Sequence, residues 1–107
     1  MVSECDSRVR VAIPAIRIAV AKLLKSKYNM GQQEIARRMG ITQASVNKYL
    51  NGRYSARIRR IAAGVRAGGG DKKIASMIAS GKRLSLVNEH IDKTAARFPA
   101  APYCTLI

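Results

Sequence analysis

The stretch from Gln32 to Gly52, Gln-Gln-Glu-Ile-Ala-Arg-Arg-Met-Gly-Ile-Thr-Gln-Ala-Ser-Val-Asn-Lys-Tyr-Leu-Asn-Gly, constrains this chain more than any other. Ile35, Ala36 and Met39 fall at i, i+1 and i+4, which places one apolar stripe on a short first helix. Gly40 follows at once, where a helix end favours a residue that tolerates a left-handed backbone. Thr42 then stands at an N-cap position, its hydroxyl able to accept from an otherwise orphaned amide of a second helix. Val46, Tyr49 and Leu50 give that helix its buried side at i, i+3 and i+4. Its outward side reads Gln43, Ala44, Ser45, Asn47 and Lys48. These are small, amide-bearing, hydroxyl-bearing and cationic residues, the types that can approach base edges and phosphates.

The same residues carry a resemblance. The stretch is similar to the helix-turn-helix of the lambda-repressor/Cro-like, or XRE-type, transcriptional regulators. Ala36 matches where the two helices cross, Gly40 in the turn and Val46 in the joint core; Gln32, Gln43 and the closing Asn51-Gly52 are also typical. The preceding Ile13-Pro-Ala-Ile-Arg17 resembles that of small archaeal regulators of this type. The resemblance implies a sequence-specific transcription regulator that binds double-stranded DNA as a homodimer, with the helix over 42–50 in the major groove. Gln43 would be the main base reader, since a carboxamide can pair bidentately with adenine; Ala44 can touch a thymine methyl, and Ser45 and Asn47 are adaptable readers. Gln32, Thr42, Lys48, Asn51, Arg53 and Arg57 would hold the sugar–phosphate backbone.

Charge points the same way. Twenty Lys and Arg against six Asp and Glu give a formal net charge of +14, which implies a polyanionic partner, nucleic acid first. A thermophile-type surface would intersperse Glu among the cations, and here Glu34 is the only acid between Asp6 and Asp71. Charge alone equally suits an architectural, chromatin-like protein that coats DNA with little sequence choice. It also suits an RNA binder, although few aromatic residues are available for stacking. No apolar run is long enough to span a membrane, and no basic region followed by an apolar one opens the chain. A cytoplasmic, nucleoid-associated protein is expected.

The 107 residues suit one compact all-α domain of five to six helices with a core large enough to fold unaided. Pro14 suits the first turn of a helix that continues through Ile16, Val20, Leu23 and Leu24 and ends near Tyr28-Asn29. This helix is expected to pack across the helix-turn-helix pair. After Gly52, Ser55 is an expected N-cap, followed by a stripe of Ile58, Ile61, Ala62 and Val65, with Arg53, Arg57, Arg59 and Arg60 crowding its start. Ala67-Gly-Gly-Gly70 reads as a joint or tight turn that bounds the DNA-reading core, residues 1–66. Beyond it Asp71 can cap a fifth helix carrying Ile74, Met77 and Ile78, and Gly81 ends it. Leu84, Val87, Ile91, Ala95 and Phe98 mark a sixth. These two helices offer more apolar surface than they hide against each other. Residues 71–107 are therefore expected to be a C-terminal helical extension used for dimerisation; the alternative is that they close the monomer core.

Catalytic chemistry is not legible. His90 stands alone at helical spacing, Gly68-Gly-Gly70 is not followed by the Lys-Ser/Thr of a phosphate loop, and no paired acids or nucleophile triad can be assembled. Two cysteines, Cys5 and Cys104, cannot complete a structural metal site within one subunit, so free or packed thiols and no metal or cofactor are expected, with a disulfide or a metal site shared across a dimer as the alternatives. Regulators resembling this one can end in a cysteine cluster, and only Cys104 stands at that end here. No effector pocket is evident from the residues.

Overall fold

The computed structural model describes residues 11–96, which form six α-helices: α1 (Ile13–Ser26), α2 (Gln32–Met39), α3 (Gln43–Leu50), α4 (Ala56–Gly68), α5 (Gly70–Ala79) and α6 (Leu84–Ala95). Among the described residues there is no strand, in agreement with the all-α expectation. Cys5, Phe98, Pro99, Pro102 and Cys104 lie outside the described residues, as does any role assigned to them.

α1 is the axis of the domain and touches all five other helices. Pro14 sits in its first turn, where a missing amide hydrogen costs nothing. The sequence pattern gave α1 one apolar stripe, but Ala15, Ile16, Ile18, Ala19, Val20, Ala21 and Leu24 are all buried. Two faces are in use. Ile16, Val20 and Leu24 join the main core, while Ala15 and Ile18 meet Ala62 of α4 in a second cluster. The alanines at 15, 19 and 21 let neighbouring backbones approach closely, so α1 packs on α4 and α5 as well as on the helix-turn-helix pair.

α5 and α6 lie on α1 in the same core. Ile74, Ala75, Ile78, Val87, Ile91 and Ala95 are buried there beside Ile16, Leu24 and Ile35. Most of the apolar surface of this pair is thus spent inside the monomer, and the large hydrophobics left exposed among the described residues are Leu84 and Leu86, at 40% and 38%. The expected break at 67–70 is tighter than the glycine run suggests. α4 continues to Gly68, α5 begins at Gly70, and Gly69 alone joins them at φ +78°, a conformation that favours a residue without Cβ. Gly69 is therefore the N-cap of α5. Asp71, expected in that role, makes no capping hydrogen bond and is buried in the first turn at 3% exposure.

Candidate nucleic-acid interface

The helix-turn-helix forms as its local chemistry demands. α2 buries Ile35, Ala36 and Met39 and closes on Gly40, whose φ of +69° lies in the left-handed region. The amide of Ile41 donates to the carbonyl of Ala36 at 3.0 Å, and half-buried Ile41 packs on the core, a closure that fixes the exit direction of the chain. Thr42 is extended at φ −81°, ψ 154°, and its Oγ1 accepts from the amide of Ser45 at 3.1 Å. Val46 is fully buried between the helices, with Tyr49 and Leu50 packed partly against the core. These contacts leave the opposite side of α3 to solvent.

On that side Gln32, Gln43, Ala44, Asn47, Lys48 and Arg53 line one open groove of about 450 Å³. Gln43, Ala44, Lys48 and Arg53 are exposed, while Gln32 and Asn47 are half-buried. Six residues drawn from α2, α3 and the following loop are thus brought together. The other four residues assigned to a DNA surface are placed differently. Thr42 and Ser45 are tied to each other, since the Thr42 hydroxyl also donates to Ser45 Oγ at 2.9 Å. Asn51 Nδ2 donates to the carbonyl of Asn47 at 2.8 Å and so closes the C-terminus of α3. Arg57 is exposed in the first turn of α4, whose N-cap Ser55 accepts from the amide of Ile58 at 3.2 Å.

The loop between α3 and α4 is held by residues that local spacing does not reveal. The Tyr54 hydroxyl accepts from Lys22 Nζ at 2.8 Å, across 32 positions of sequence. Lys22 Nζ also lies 5.5 Å from the ring centroid, about the distance expected for a group beyond the hydroxyl in the ring plane, so the hydrogen bond rather than a cation–π contact is the attraction. Arg59 places its guanidinium carbon 5.5 Å from the same ring and donates through Nη2 to the carbonyl of Gly52 at 3.3 Å. Arg53 is thereby anchored next to α3. The only signal in the sequence was an aromatic residue between arginines.

A second restraint acts on α2. Arg38 Nε pairs with Glu34 at 2.8 Å, and its Nη1 donates to the carbonyl of Ile78 in the last turn of α5 at 3.0 Å. A cation there also complements the negative end of the α5 dipole. Glu34 is approached by Arg37 as well, at 3.8 Å, so this lone acid is matched by cations on its own helix. The cations that line the groove itself, Lys48 and Arg53, belong to neither of these pairs.

Residues 20–63 match a family described as helix-turn-helix, of the XRE or lambda-repressor-like type. The matched segment runs from the second half of α1 through α2 and α3 into α4, and so contains the whole groove. It is a family of DNA-binding regulators and not of enzymes. No curated protein and no solved structure matches the chain. No helix among the described residues is long and apolar enough to cross a membrane. Nor does any group of three or more His, Cys, Asp or Glu among them have an arrangement that could hold a metal ion.

Proposed function

We propose that this protein is a sequence-specific transcription regulator that reads the major groove of double-stranded DNA with α3. The carrying observation is that Gln43, Ala44 and Asn47 line one open groove together with Gln32, Lys48 and Arg53. Base-edge chemistry and phosphate chemistry share that groove, as a helix seated in a major groove requires. Gln43 is the base reader, with Ala44 against a thymine methyl. Lys48 and Arg53 hold phosphates, and Arg57 extends that grip along α4.

The two classes of contact respond differently to mutation. Gln43→Ala lowers affinity for the preferred site by ~1–3 kcal/mol and relaxes its base preference. Arg53→Ala weakens binding to every sequence and reduces the salt slope by about one unit. Selection of bound duplexes from a random pool, followed by titration of both variants at several salt concentrations, checks this. Identical behaviour of the two variants defeats the assignment. Loss of wild-type binding to random competitor duplex would instead favour the coating, architectural reading that the +14 charge also supports.

The protein would act as a homodimer joined through the extension at 71–107, in which Leu84 and Leu86 remain exposed. Two-fold pairing places half-sites about one helical turn apart. Equilibrium sedimentation on a palindromic duplex then gives two chains per site, and one chain per site removes the dimer. Action on DNA in the cytoplasm, at the nucleoid, follows from this reading.

A further inference from the structure

A second groove lies away from α3, on the side of the domain where α1, α4 and α5 meet. It measures about 460 Å³ and is lined by Leu23, Ala63, Arg66, Ala67, Asp71 and Lys72. Asp71 is the feature that demands explanation. Its side chain is 3% exposed, and its Oδ1 is buried without a hydrogen-bond partner among the described residues. Arg66 and Lys72 line the same groove, yet neither forms an ion pair with it among the described residues. Asp71 occupies the first turn of α5, where the helix dipole favours a negative charge, but it caps no amide. A buried carboxylate oxygen left without a donor is unfavourable, and folded chains seldom keep one that nothing satisfies.

We infer that Asp71 is the anchor of a small-molecule site, whose ligand is a free α-amino acid with an apolar side chain. Three features of the groove set that chemistry. The Asp71 carboxylate, which lines the groove, meets no donor among the described residues, and an ammonium is the donor that also matches its charge. Exposed Arg66 and Lys72 at the rim suit a carboxylate carried by the same molecule. Leu23, Ala63 and Ala67 offer an apolar lining for its side chain. A plain amine would leave the two cations facing it, and a plain carboxylic acid would set its charge against Asp71. Because the groove joins α1 and α4, which both pack on or lead from the helix-turn-helix, occupancy provides an effector input to DNA binding. That regulatory role rests on the function proposed above; the site itself does not.

The test uses the free full-length chain, so its result is separable from any failure of DNA reading. Wild type, Asp71→Leu and Gln43→Ala are titrated with L-leucine, 3-methylbutylamine and 4-methylpentanoate, following Tm and the amide resonances of Ala63, Ala67 and Lys72. L-leucine raises Tm and shifts those resonances in wild type and Gln43→Ala, the amine does so more weakly, and the acid does neither. Asp71→Leu loses the response while its unliganded Tm rises by roughly 4 °C or more, because the uncompensated oxygen is gone. A fall in the unliganded Tm of Asp71→Leu shows that the carboxylate has its donor inside the protein and overturns the site. So does an L-leucine response that survives in Asp71→Leu, an equal response to 4-methylpentanoate, or no response in wild type at millimolar L-leucine. DNA binding measured with and without L-leucine then reports the regulatory role separately.

Discussion

Ile16→Ala destabilises the domain by about 2–5 kcal/mol, the usual loss for removing a large aliphatic side chain from a packed interior. Ile16 is 0% exposed, lies near the start of α1 and belongs to the core that α2, α3, α5 and α6 share. Its deletion therefore leaves a hole that several rigid helices border, and none can move in without losing its own contacts with α1. A domain of this size has only about 5–15 kcal/mol to lose, and its Tm falls by roughly 4–8 °C per kcal/mol. Thermal or urea unfolding followed by far-ultraviolet circular dichroism should show one transition displaced downward by at least ~8 °C. If α5 and α6 were instead an independent unit, the variant would unfold in two steps, with the C-terminal step unmoved. A loss below ~1 kcal/mol would show that α1 is not the axis of the core.

How far the sequence could be read follows from the range of the interactions. The turn at Gly40, the caps at Thr42 and Ser55 and the burial of Ile35, Ala36, Met39 and Val46 all depend on partners within a few positions. Those features leave local signatures, and so the groove-lining face of α3 was legible from spacing. α1 shows where such reading stops. Its second face is built on Ala15 and Ile18, which meet Ala62 of α4, and the burial of a residue as small as Ala15 records the approach of that helix and not its own hydrophobicity. The Lys22–Tyr54 and Arg38–Ile78 hydrogen bonds span 32 and 40 positions, which no periodicity reports. Asp71 misled for a related reason. An acid after a glycine run resembles an N-cap, but the left-handed Gly69 takes that position and turns Asp71 inward.

Leu84 shows the same limit and leads to the second large effect. Helical spacing put it in the buried stripe of α6, yet it stands at the N-terminus of that helix with 40% of its surface exposed. Its side chain is instead laid against the turn of the helix-turn-helix. A Cβ built on Gly40 would come within 2.6 Å of Leu84 Cδ2. Gly40 is thus required twice, once by its φ of +69° and once by the leucine above it.

Gly40→Val accordingly costs about 2–4 kcal/mol, from a β-branched residue forced into the left-handed region and from its collision with Leu84. The two contributions separate in a double-mutant cycle. Leu84 ends in a flexible, half-exposed side chain that can swing away, so the collision is the smaller part and the backbone strain the larger. Leu84→Ala alone should cost under ~1 kcal/mol, and combined with Gly40→Val it should restore no more than about 1 kcal/mol. The variant should also read DNA less selectively than its remaining folded fraction allows, because a distorted turn tilts α3 relative to α2 and moves Gln43 away from Gln32 and Arg53. Urea titration of the four proteins gives the coupling energy, and duplex competition on the folded fraction gives the selectivity. Full recovery of stability in the double mutant would mean that contact with Leu84, and not the left-handed backbone, is what keeps glycine at position 40.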